Sequence, residues 1–170
     1  MVPPGHGWHC KDGYKIFVAG GGALRFDFPK TWVIDPGADH IRLRDRPRPH
    51  DRILFEASYF PWAEALRRQP LRELLISSLR NDDGTPAHFN EIRSEERAKL
   101  ALCWTEHPFL ETHELREARR RCCLARGNGL QALLSLSFWP EDTGDVDPIW
   151  REILSSIVLG MSLPGPTPVN

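Results

Sequence analysis

From Glu114 to Trp139 the chain reads as two long extended runs hinged at Gly127-Asn128-Gly129, and this hinge constrains the fold more than any other stretch. Gly and Asn accept positive φ at little steric cost, so a short link of this kind between two β-rich runs predicts a hairpin. In the second run Leu130, Ala132, Leu134, Leu136 and Phe138 share one face, with Gln131, Ser135 and Ser137 largely opposite. Alternation at period two makes this a strand whose apolar face meets a core.

The rest of the chain supplies further strands and two helices. Tyr14–Ala19 and Leu24–Phe28 form a second predicted hairpin around Gly20-Gly21-Gly22. Those glycines are not a P-loop, because Lys and Ser/Thr are missing from the required positions and the run leads into a strand. Ile41–Asp45 and Arg52–Phe60 read as strands separated by Pro47 and Pro49, with Ile53, Phe55, Ala57 and Tyr59 on one face. Ala98–Thr105 is another strand. From Pro70 the period changes: Leu71, Leu74, Leu75, Ser78 and Leu79 make a helical stripe that fades at Asn81-Asp82-Asp83-Gly84. A closing helix is capped by Asp145 or Asp147 with Pro148 in its first turn. Its apolar face is Val146, Ile149, Trp150, Ile153, Leu154 and Ile157, and Gly160 ends it. The organisation expected is a flexible N-terminal tail over 1–13, one domain over 14–160 and a Pro-rich tail over 161–170. Its class is α+β, an antiparallel sheet of six to seven strands packed by helices.

This order, together with the segment Leu24-Arg25-Phe26-Asp27-Phe28-Pro29-Lys30-Thr31-Trp32, resembles the PsbP-like α/β/α sandwich family. That family includes the photosystem extrinsic protein PsbP, the yeast Ran-release factor and bacterial DcrB-type proteins. The resemblance implies an adaptor or binding module rather than a set of catalytic residues, since a fold does not fix a function.

Charge and cysteine usage narrow the chemistry. Twenty-two basic and 23 acidic side chains leave a formal net charge of -1, so no global field recruits nucleic acid or an anionic membrane. No apolar run approaches a membrane span, and the opening residues lack the basic and apolar regions of a secretory signal, so a cytoplasmic protein is expected; that it is bacterial is what the family resemblance implies. Cys10, Cys103, Cys122 and Cys123 contain no Cys-x-x-Cys spacing and are read as reduced, mostly packed thiols. His6, His9 and Cys10 offer three metal donors within five residues, too cramped and without a fourth, so neither metal nor cofactor is expected. His107 and His113 read as loop histidines. On a strand, Cys122 shares a face with Arg120, and Cys123 with Arg119 and Arg121; one thiol is then packed and the other exposed beside arginines.

The arginines, 18 against 4 lysines, are the strongest binding signal. Arg42, Arg44, Arg46 and Arg48 recur at every second position, as do Arg119 and Arg121, so each set projects from one sheet face or edge. Cross-strand pairing with Asp45, Asp51, Glu56, Glu114 and Glu117 is the economical account of these rows. Trp62 and Trp139 fall at strand ends, where core or hinge packing is the economical role and aromatics at one sheet margin can alternatively line a protein-binding or ligand groove. The residues singled out for partner binding are Arg119, Arg121, Trp62 and Trp139. The expected function is a non-enzymatic adaptor or protein-binding module, its partner another protein, a second copy of this chain included. The alternative is a small hydrolase or ligand-binding protein with a pocket of Cys123, His113 and Arg121.

Overall fold

The computed structural model describes residues 8–35, 40–62, 69–79, 84–85, 87–89 and 91–161. His6, residues 1–7 and 162–170 of the expected tails, and Asn81-Asp82-Asp83 of the expected helix stop lie outside the described residues.

The Asn128-Gly129 turn, with both residues at positive φ, joins β8 (Arg116–Gly127) to β9 (Leu130–Phe138) in the predicted hairpin. Around it forms a seven-stranded antiparallel sheet in the order β3-β4-β5-β9-β8-β7-β6. Its other members are β3 (Val33–Ile34), β4 (Ile41–Arg44), β5 (Ile53–Pro61), β6 (Ile92–Arg97) and β7 (Leu100–Glu111). The strand count matches expectation for this sheet. The first hairpin, however, stands apart from it: β1 (Tyr14–Ala19), β2 (Leu24–Pro29) and β10 (Val158–Leu159) make a separate three-stranded sheet.

Alternation decides which side of the large sheet each neighbour covers. Its inner face presents Phe55 and Ala57 of β5, Cys123 and Ala125 of β8, and Leu134, Leu136 and Phe138 of β9. Leu24, Phe26 and Phe28 of β2 pack onto this face, with the Phe26 and Phe55 rings 5.1 Å apart. The helix α2 (Thr143–Ser156) lies there too, burying Val146, Trp150, Ile153 and Leu154. The outer face is covered beside β7 and β8 by α1 (Leu71–Ser78), whose fully buried Leu75 meets Leu79, Ile92, Cys103, Cys122 and Leu124.

Three expectations need correction. The closing helix begins at Thr143 after a Pro140–Asp142 turn and ends at Ser156, so neither Asp145 nor Asp147 caps it and the last residues before Gly160 are strand. That strand forms because β2 has a free edge for Val158 and Leu159 to pair with. His107 is no loop residue: β7 continues through Pro108 to Glu111. Beyond Thr105 the β6 ladder has ended and only β8 neighbours β7, so on that side no partner strand needs the N–H that proline lacks.

Candidate functional site

Arg121, 5% exposed, faces inward from β8 as alternation requires, on the same face as Cys123. Its Nε donates to Glu106 Oε2 at 2.8 Å and its Nη2 to Asp147 Oδ1 of α2 at 2.5 Å. The guanidinium lies over the rings of Phe138 and Trp104, 5.2 and 5.8 Å from their centroids. Trp104 meets Trp150 of α2 edge to face, centroids 5.8 Å apart, and carries Arg93 at 4.9 Å. With Glu91, Thr143 and Arg151, all of these residues except Cys123 and Phe138 line a cleft of about 590 Å³ between the first half of α2 and strands β6–β8.

Charge in this cleft balances locally: Arg93, Arg121 and Arg151 stand with Glu91, Glu106 and Asp147 around an indole floor. A part-exposed ring, Trp104, backed by the buried Trp150 and set beside paired charges has the ingredients of a surface that receives a partner's side chain. Trp150 Nε1 is buried without a hydrogen-bond partner among the described residues. The hydroxyl in the lining, Thr143 Oγ1, is committed as a donor to Pro140 O at 2.6 Å.

Glu106 also accepts from Arg119 Nη1 at 3.1 Å, so one carboxylate ties both predicted arginines. The partners of Arg119 and Arg121 are thus Glu106 and Asp147, not Glu114 or Glu117. Glu106 stands directly opposite Arg121 in the β7–β8 register, while Asp147 arrives from a helix distant in sequence. The other row pairs only in part as expected: Arg42 meets Glu56 across the β4–β5 ladder and Arg44 meets Asp51, but Arg46 pairs with its own neighbour Asp45 and Arg48 with no carboxylate among the described residues. Trp62 and Trp139 are placed at opposite ends of the β5–β9 pair, next to Pro61↔Leu130 and Ile53↔Phe138 respectively. Each carries an arginine over its ring, Arg126 at 4.5 Å and Arg116 at 4.2 Å. Only Arg121 of the four predicted residues lines the cleft, with Arg119 one carboxylate away. Trp104, Trp150 and Arg93 went unrecognised as binding residues; the period-two spacing of Trp104 and Glu106 was the available signal.

The thiols differ from expectation. Cys122 and Cys123 are both buried, at 9% and 0% exposure, because α1 covers the outer face that alternation alone leaves open. Cys122 Sγ sits 3.8 Å from Nε2 of the buried His107, yet burial pushes this thiol up to about 11 despite the opposing effect of Arg120. Burial raises Cys103 to about 11 as well and Cys123 well above the usual thiol range. A thiol held protonated is a poor nucleophile at neutral pH. The expected pocket of Cys123, His113 and Arg121 does not form: His113 occupies the exposed turn beyond Glu111, and Cys123 is in the core. Among the described residues no three His, Cys, Asp or Glu side chains cluster as metal ligands; His9 and Cys10 are included, His6 is not.

Fold and cleft together define an α+β sandwich with an aromatic, ion-paired recess under its closing helix. Across residues 15–163 the chain matches the Alr1449 family and belongs to it. It is 32% identical over 172 residues to the uncharacterized protein alr1449 of Nostoc sp. (strain PCC 7120), covering 98% of this chain and 88% of that one. Among solved structures, cyanobacterial PsbP (CyanoP) from Synechocystis sp. PCC 6803 superposes with a TM-score of 0.61 at 10% identity, over 90% of this chain and 98% of CyanoP. A Bacteroides thetaiotaomicron protein gives 0.63 at 11% identity over 88% of this chain, which spans 49% of that longer one. Identities this low show a broad shared fold, the PsbP-like one, and nothing about activity. No helix among the described residues is long and apolar enough to cross a membrane.

Proposed function

We propose that this protein is a non-catalytic adaptor of the bacterial cytoplasm that receives a segment of a partner protein in the cleft between α2 and β6–β8. The observation that carries this reading is the Trp104–Trp150 floor, held rigid by Arg121 and its two carboxylates and left open to one side. Aromatic and arginine side chains that a partner buries on binding dominate protein recognition energetically, and Trp104, part-exposed over the buried Trp150 and flanked by Arg93 and Arg121, is such a ring. Ion pairs that are already satisfied orient a partner without requiring it to neutralise a buried charge.

A photo-crosslinking amino acid placed at Arg93 or Arg151, both on the exposed side of the cleft, tests the proposal in the native host. One discrete adduct, the same from both positions and absent from a probe at Lys15 on β1, is expected; a second copy of the chain in that adduct identifies the partner as itself. Equal labelling from Lys15, or no adduct from either cleft position, overturns the reading.

A further inference from the structure

The opposite face of the large sheet holds a second recess. Beyond the end of α1, register places Arg44, Leu54, Ser137, Arg120 and His107 in one transverse row across β4, β5, β9, β8 and β7. Alternation turns this row to the outer face, away from Arg121 and the α2 cleft. There Arg44 and Arg120 line a cleft of about 560 Å³ with Phe109, Trp139 and Arg48. That volume suits a small molecule.

Its lining is rich in arginine. Four arginines, Arg44, Arg48, Arg52 and Arg120, line it with three carboxylates, Asp51, Glu111 and Glu114; Arg52 is committed to Glu141 and Asp142 and Arg44 also to Asp35, which leaves Arg48 as the exposed cation of the site. Two of those carboxylates are already committed: Asp51 to Arg44 Nη1, and Glu111 to the backbone N–H groups of His113 and Glu114 at 2.9 and 2.7 Å. Arg48, exposed, has no carboxylate partner among the described residues.

Arg44 supplies a second, independent observation. Its side chain is 5% exposed; Asp35 and Asp51 hold Nε and Nη1, but Nη2 is buried with no hydrogen-bond partner. Buried guanidinium donors are normally satisfied, and an orphaned one in the wall of an arginine-rich recess points to an acceptor that a ligand brings.

We propose that this outer cleft is an oxyanion site, in which Arg44 and Arg48 take a phosphate or carboxylate group of a small molecule lying against Phe109 and Trp139. The geometry of guanidinium donors matches either oxyanion, and the site is independent of the partner cleft under α2.

Calorimetric titration at low salt with pyrophosphate and, separately, citrate tests it on the full chain. Saturable 1:1 binding of at least one probe is expected, weakened about tenfold or more by Arg48→Glu and unchanged by Arg46→Glu, an exposed neighbour outside the cleft. The probe that binds names the oxyanion: pyrophosphate a phosphate ligand, citrate a carboxylate one. The indole N–H resonance of Trp139 should shift on binding while that of Trp62 stays put. No saturable binding of either probe overturns the proposal. So does equal weakening by Arg46→Glu, which would mark diffuse attraction to a basic surface.

Discussion

Cys103 and Cys122 lie under α1 with thiols raised to about 11, and their state links folding to alkaline pH. Unfolded cysteines ionise near the ordinary thiol range, whereas the folded ones hold their protons to higher pH. The unfolded chain therefore binds fewer protons in that window, and stability falls as pH rises from the ordinary range towards about 11. The stability difference between the wild type and Cys122→Ala should shrink over that span, read from urea midpoints under reducing conditions; a difference that stays flat would contradict the burial argument. Residue spacing correctly put Cys122 and Arg120 on one face. It could not show that a helix from elsewhere covers that face and turns an exposed thiol into a packed one. The same limit hid the partners of Arg121: Asp147 reaches it only because α2 crosses the sheet at that row.

Elements with strong local chemistry were legible, and weakly patterned ones were not. The β8–β9 hairpin follows from Gly127-Asn128-Gly129 and clean alternation, and α1 from its leucine spacing. β6 was missed because an edge strand of Arg93-Ser94-Glu95-Glu96 exposes both faces and carries no apolar period. β10 is two residues long and exists only through its pairing with β2. The turn after β8 also docks on that strand: Asn128, at φ 49°, donates from Nδ2 to Leu159 O at 2.6 Å. Gly160 closes this contact at φ 63°, where an added Cβ would stand 2.7 Å from Asn128 Cβ. Gly160→Ala meets both an unfavourable backbone region and a clash, so a loss of about 2 kcal/mol or more is expected in denaturant unfolding. A loss below about 0.5 kcal/mol, the size of an ordinary surface substitution, would mean that the turn and β10 are not coupled.

For the whole molecule, two cores lie on opposite faces of one sheet, and they are unequal. The inner core joins both sheets and α2, with β2 tied to the end of α2 by Arg25 Nη1 to Ser156 O at 2.6 Å and Asp27 N to Ser156 Oγ at 2.8 Å. The outer core rests on the single short helix α1, in which Leu75 is the buried residue. Leu75→Ala should cost about 2–5 kcal/mol, as buried leucine truncations do. It should also let α1 open locally, exposing Cys103 and Cys122 to iodoacetamide, whereas the native protein labels at Cys10 alone. Mass spectrometry of the labelled chain checks this, and protection unchanged in the variant would show that α1 is not what shields the thiols.

The sequence by itself determined the near-neutral α+β class, the alternation of the long strands, the central hairpin and the pairing of Arg42 with an acid of the next strand, because each depends on neighbours within a strand or across a turn. Only the tertiary structure decided that the first hairpin forms its own sheet, that α1 and α2 take opposite faces, and that Trp104, Trp150 and Arg121 meet in one cleft while Arg44 and Arg48 meet in another. Strand alternation assigns a side chain to a face; which element covers that face is settled by packing between segments far apart in the chain, and local pattern carries no record of it.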